Sequence, residues 1–414
     1  MNLYYLISLL VILSAVFAYI NTRLLKLPLT IGLMLLSTIF SVGLLAVNQF
    51  FPSTLTPVTT AIKTIDFSAV VLNVLLSFLL FAGSMHTDYR QLQQNRKSII
   101  LFALVSVLLC TVLAGAALYF LTSFFGTPIN FLYCLLFGAI VSPTDPIAVL
   151  GILTKANVPK SAEINIVGES LFNDGIGVVV FVSLLALIEK GSGHIQAWDM
   201  PLVFLQQAVG GIGLGFILGY IIFFLLKSID DYETEVMITL AVVMGGNWVA
   251  HIADVSGPLA MVVAGLITGY KVKKEVMSDV TMMYVEKFWH LIDVLMNAIL
   301  FVLMGLKILS IHFEWGYLLV ALAIIPLLLL CRYLSLAIPY QISKQWLDVS
   351  PKTILLMTWG GLRGGLSIAM ALSLSPSFAV KDELVFITYI IVMFSIFVQG
   401  LTVEKVAKKI YGHR

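Results

Sequence analysis

Residues 138–153 read GAIVSPTDPIAVLGIL, an apolar run broken at its centre by an aspartate between two prolines. The flanks suit a helix crossing a bilayer, and the centre forbids a continuous one. A proline lacks its own N–H and clashes with the carbonyl four residues back. Pro143 thus frees the carbonyl of Ala139, and Pro146 frees that of Ser142. Non-helical backbone at membrane depth survives only where it is buried in protein or lines a wet cavity. Asp145 adds a charge, which costs roughly 2.5–3.5 kcal/mol at the bilayer centre on insertion scales. The stretch predicts a discontinuous helix at a buried or hydrated site.

Working outward, the same combination recurs. Residues 359–367, WGGLRGGLS, set four glycines around Arg363 inside another apolar run. Glycine weakens a helix interior by roughly 0.5–1 kcal/mol per residue relative to alanine. Between the two lies GESLFNDGIGVVVF, residues 168–181, with Glu169 and Asp174 inside a third run. Two intramembrane aspartates, Asp145 and Asp174, point to a site for a small cation, a proton, or both in alternation.

Composition agrees with a membrane setting. Of 414 residues, 60% are hydrophobic and 11% charged, against about 25% charged in soluble domains. Cys110, Cys134 and Cys331 lie in apolar runs without metal-ligand spacing and read as small packing residues. No polar block provides a soluble domain, and no basic tail suggests nucleic acid. The apolar run at 3–20 has no basic residue before it, so it reads as an uncleaved first helix rather than a leader.

Runs of about 20 apolar residues suffice to cross a bilayer. Thirteen are found, at 3–20, 28–50, 62–82, 98–122, 129–153, 164–188, 201–225, 234–252, 255–271, 286–308, 314–340, 352–374 and 384–403. With the N-terminus outside, most of the 24 Lys and Arg residues fall in inside loops or the tail. Only Lys63, Lys190, Lys307 and Lys381 fall outside, with Arg332 and Arg363 within spans. This bias favours the count and a cytoplasmic C-terminus. The broken spans are the fifth and twelfth, an odd offset, so they run in opposite directions. Spans 1–6 and 8–13 then form two six-helix repeats of inverted topology joined by span 7. Matched breaks in two halves are the best sequence pointer to a transporter site. The expected fold is an all-α polytopic membrane protein with two discontinuous, crossing helices.

Residues three and four apart share a helix face. Ser170, Asn173 and Asp174 therefore gather a hydroxyl, an amide and a carboxylate, to which Thr144 and Asp145 add oxygens. Hard cations prefer such oxygen ligands, and no His or Cys cluster suits a transition metal. Burial disfavours the charged form of a carboxylate, and a cation bound beside it restores that form. Proton and cation thus compete for one group. Arg363 needs a partner at depth. Glu169 is the expected one, as an ion pair, with backbone carbonyls as the alternative. Asp293 reads either as lining a funnel or as a solvated helix end. His251 and Asp254 read as a solvated loop, and Asp66 and Arg332 as residues near span edges. Gly211, Gly215 and Gly219, at four-residue spacing, signal close helix packing. No GxSxG or HExxH stretch suggests an enzyme. A channel would need a continuous wet path.

The stretches SPTDPIAV, GESLFND and WGGLRGGLS resemble the NhaP-type branch of the sodium/proton antiporters, the family that includes the animal sodium/hydrogen exchangers. The resemblance implies a homodimer in a prokaryotic plasma membrane. A core moves past a dimerisation domain like an elevator, and no cofactor is needed. It implies dimerisation helices at 1–97 and 231–312, core helices at 98–190 and 313–414, and a linking helix at 191–230. Asp174 is then the carrier of cation and proton. Asn173 is its partner in the electroneutral branch, Thr144 and Ser170 are oxygen ligands of Na⁺, and Asp145 is the acid at the helix crossing. Glu169 and Arg363 are a structural ion pair. The expected activity is exchange of Na⁺ or Li⁺ for H⁺, one for one, with K⁺/H⁺ exchange on the same fold as the alternative. The chain departs from some members at Phe81-Ala82-Gly83, where those members place a glutamate.

Overall fold

The computed structural model describes residues 3–50, 66–145, 158–190, 199–310, 315–347 and 349–412. Among these, the regular elements are helices. The longer ones are α1 (Leu3–Ile20), α2 (Leu29–Phe50), α3 (Phe67–His86), α4 (Arg96–Phe124), α5 (Phe131–Val141), α6 (Lys160–Lys190) and α7 (Asp199–Leu226). There follow α8 (Tyr232–Ile252), α9 (Gly257–Ile267), α10 (Asp279–Leu306), α11 (Trp315–Ser343), α12 (Pro351–Gly360), α13 (Gly365–Ser373) and α14 (Lys381–Tyr411). Helices α1–α11 occupy the first eleven expected spans. The twelfth is split into α12 and α13, and the thirteenth is α14. Ten of the described helices are long and apolar enough to cross a membrane. The shorter ones are α5, α9 and the two halves of the twelfth span. Pro146 and the remainder of the fifth expected span lie outside the described residues.

Helix starts follow local chemistry. Ser350 accepts from the Thr353 N–H and Pro351 occupies the first turn of α12. Asn130 accepts from the Leu132 N–H to start α5. Such caps satisfy amide donors that no intrahelical carbonyl reaches. Asp66, expected at a span edge, caps α3 by accepting from the Ala69 N–H at 3.0 Å.

Helix α4 packs against α5 and α11, α11 packs against α14, and α13 packs against α14 and α5. Elsewhere α2 packs against α10, and α3 packs against α9 and α10. The glycine stripe on α7 meets α9. A Cβ at Gly211 would come 2.6 Å from the Ser256 carbonyl oxygen, and one at Gly215 would come 2.6 Å from that of Ala260. Helices α1 and α7 keep large apolar residues exposed, among them Tyr5, Ile12, Leu202, Val209, Ile217 and Phe224. This arrangement is favourable against lipid and costly in water.

The two breaks meet. The Asp145 N–H donates to the Leu362 carbonyl at 2.7 Å, which makes an isolated antiparallel bridge between the broken segments. Each break thereby satisfies some of the backbone that the other leaves without a helical partner.

Candidate functional site

A buried polar network lies beside the crossing. On α6, Glu169 and Asn173 are one turn apart, and the Asn173 amide donates to Glu169 Oε1 at 2.8 Å and to Thr144 Oγ1 at 2.8 Å. Thr144 returns its backbone N–H to Asn173 Oδ1 at 3.3 Å. The Thr144 and Ser170 hydroxyls bond each other at 3.0 Å. All four side chains are buried. Asn173 thus spends its amide on neighbours from two elements, fixing the break in span 5 against α6.

Glu169 is held from the other side by Arg332 of α11. The guanidinium donates from Nη1 to Oε1 at 2.9 Å and from Nη2 to Oε2 at 2.8 Å. Nη1 also donates to Ser106 Oγ at 3.3 Å. This two-pronged geometry suits a guanidinium facing a carboxylate.

Arg363 sits in the break of span 12. Its Nε donates to the Val141 carbonyl at 2.9 Å and its Nη1 to the Gly361 carbonyl at 2.7 Å. Val141 ends α5, and Gly361 follows the end of α12. Helix C-termini carry partial negative charge and unsatisfied carbonyls, so one cation serves two helix ends. The backbone N–H of Arg363 donates to Ser395 Oγ at 2.8 Å. On the opposite side of the break, α13 begins after Gly364 without a side-chain cap. A Cβ on Gly364 would lie 2.6 Å from Asp145 Oδ2. The carboxylate therefore lies where the positive helix end favours it, and glycine is what leaves it room.

Asp174 takes no part in the network. It lines a cavity of about 460 Å³, together with Asp145, Pro143, Gly364, Gly365 and Ser367. The cavity extends past apolar residues of α3 and α6 to His86, Asp88, Lys160, Glu163, His290 and Asp293. Lys160 is exposed and bonds Glu163 at 2.9 Å. Asp174 lies fourteen residues along α6 from it, about 21 Å of helical rise. The cavity thus links the surface near Lys160 to the crossing.

The chain matches the family described as sodium/hydrogen exchanger, transmembrane, over residues 12–409. It is 41% identical over 412 residues to the Na(+)/H(+) antiporter NhaP of Pseudomonas aeruginosa, covering 98% of this chain and 97% of that one. It is 35% identical to the Na(+)/H(+) antiporter NhaH of Halobacillus aidingensis over 83% of this chain and 84% of that one. The chain belongs to the sodium/hydrogen exchanger family. Its fold matches the sodium proton antiporter MjNhaP1 of Methanocaldococcus jannaschii, with a TM-score of 0.76, 21% identity and 98% of each chain covered. It is an integral membrane protein of a transporter family, not of an enzyme family.

The exchanger-family fold brings Thr144, Glu169, Ser170 and Asn173 into one hydrogen-bonded group, with Asp145 and Asp174 on the cavity beside it. One expected contact is corrected: Glu169 pairs with Arg332, not with Arg363. The reason is that Arg363 already faces two carbonyls at helix ends, whereas Arg332 reaches Glu169 from α11. Arg332, read from sequence as near a span edge, is 1% exposed. An ionisable residue inside an apolar run was the available signal. Asp293 lines the cavity rather than standing as a solvated end. His251 and Asp254 are exposed, as expected. Ala82 is fully buried, while its neighbour Gly83 lines the cavity. Sequence reasoning passed over Ser367, His86 and His290.

Proposed function

We propose that this chain is a secondary antiporter that exchanges Na⁺ for H⁺ across a bacterial plasma membrane, one for one, with Li⁺ as an alternative cation. The carrying observation is that Asp174 faces the cavity at the helix crossing while its neighbours are tied into the Glu169–Arg332 network. A carboxylate with no fixed partner among the described residues can accept either a proton or a cation. One carrier group that takes one or the other supports electroneutral exchange. Asn173 is an amide, whose donors are already committed, so it adds no second titrating group. Asp145, at the positive end of α13, serves as a fixed charge in the field of the site. Thr144 and Ser170 orient the break, and their oxygens come to the cation when the network rearranges.

The relatives' names, all Na⁺/H⁺ antiporters, support the same reading. The packing of α4, α5, α11, α13 and α14 with one another supports a core comprising 98–190 and 313–414. The packing of α2 and α3 on α9 and α10 supports a second body from 1–97 and 231–312, linked by 191–230. A core sliding past that body would carry the site between faces, and the exposed apolar faces of α1 and α7 suit a homodimer or lipid. The bias of Lys and Arg supports an outside N-terminus and a cytoplasmic C-terminus.

The test is proton movement in vesicles holding the full chain, measured with a pH-sensitive dye after additions of Na⁺, Li⁺ and K⁺. The expected result is collapse of a preset pH gradient by Na⁺ and Li⁺. Collapse by K⁺ alone would overturn the choice of cation, and ion currents far above carrier turnover would overturn antiport.

A further inference from the structure

We propose that Ser367 is a cation ligand contributed by the second broken helix, and that it helps decide which monovalent cation the site accepts. This rests on the exchange reading above and adds an oxygen donor that lines the cavity without any rearrangement of the network. A hard cation leaving water needs replacement oxygens, and one carboxylate provides few. Of the expected donors, Thr144 and Ser170 are spent on each other and on Asn173, and neither lines the cavity beside Asp174. Ser367 does line it, with Asp145 and Asp174.

The state of its hydroxyl is the second observation. Ser367 is 1% exposed, and its Oγ has no hydrogen-bond partner among the described residues. Other buried serines near the crossing have partners: Ser142 donates to the Gly138 carbonyl at 2.6 Å, and Ser395 accepts from the Arg363 N–H. A buried hydroxyl without a partner has lost its water without a replacement. A lone cavity-lining hydroxyl gains its partner when an ion occupies the cavity.

Position is the third. Ser367 lies in the first turn of α13, three residues after Gly364, against which the Asp145 carboxylate sits. The second broken helix therefore brings an oxygen to the cavity in the same turn that faces Asp145. The proton has no need of this oxygen, because it bonds covalently to a carboxylate oxygen and leaves the group neutral. The hydroxyl acts on the cation half of the cycle.

The experiment uses the full chain reconstituted in liposomes, with titrations of Na⁺, Li⁺ and K⁺ at two pH values and melting temperatures in detergent. Ser367→Ala is expected to raise the Na⁺ KM about five-fold or more, to alter the Na⁺ to Li⁺ preference, and to leave the maximal rate and melting temperature close to wild type. Ser367→Thr, which keeps the hydroxyl, is expected to restore the Na⁺ KM. An unchanged Na⁺ KM in Ser367→Ala would overturn the proposal. So would a fall in maximal rate and melting temperature, equal for all three cations, that threonine does not rescue. Loss of the underlying reading would show differently: wild type would move no protons in response to Na⁺, or Asp174→Asn would match wild type.

Discussion

Glu169 is gripped through both oxygens by Arg332, so removing it leaves a guanidinium buried without its anion. Breaking such a pair costs about 3–5 kcal/mol. Glu169→Ala and Arg332→Ala are each expected to lose thermal stability on that scale. In a double-mutant cycle their losses should fall well short of additive. The same cycle with Arg363→Ala should show a smaller coupling, because Arg363 bonds carbonyls. Larger coupling to Arg363, read from unfolding in detergent, would contradict the pairing. Asp145, Glu169, Asp174 and Arg363 were legible in the sequence because each is an ionisable group in an apolar run. Which arginine reaches Glu169 was not. The partners are 163 residues apart, and they approach because α6 and α11 both pack against α4. Ser367 was hidden for a plainer reason: a serine in a membrane helix bonds its own backbone so often that its sequence position carries little signal.

Among the helices, Gly364 tests the seat of Asp145 between the matched breaks, and Gly215 tests the α7–α9 contact. Gly364→Ala would place a Cβ 2.6 Å from Asp145 Oδ2. It is expected to displace the carboxylate and to reduce exchange at least ten-fold in vesicles, with the protein still folded. Wild-type exchange in that variant would show that the carboxylate needs no such seat. On α7, Gly215→Ala would drive a Cβ into the Ala260 carbonyl, whereas Gly213 has open space around it. A loss of about 1–3 kcal/mol is expected for the first and close to none for Gly213→Ala. Equal melting temperatures would mean that the α7–α9 contact is looser than described. Both features were visible as patterns, since glycine spacing and proline placement act through local backbone rules. The partner of each was not visible. That α7 meets α9, and that Leu362 bonds Asp145, depends on how distant helices pack.

Across the whole molecule, the proposed mechanism gives Asp174, one of two aspartates where the cavity meets the crossing, a proton and a cation as competitors. Lowering the pH on the cation's side should raise the apparent Na⁺ KM, approaching about ten-fold per pH unit when the proton form dominates. The maximal rate at saturating Na⁺ should change much less. One-for-one exchange moves no net charge, so clamping the membrane potential with valinomycin and K⁺ should leave the rate unchanged. A rate that follows the potential would contradict that stoichiometry. The layout of spans could be read along the chain because lipid demands apolar runs of defined length. The cavity could not, since it is bounded by residues from α3, α6, α10 and α13. In the proposed mechanism Asp174 carries both ions. Its most direct test is Na⁺-driven proton movement by purified Asp174→Asn in liposomes, with its melting temperature taken beside wild type. A folded protein without exchange is expected. Na⁺-dependent proton movement retained in that variant would contradict it.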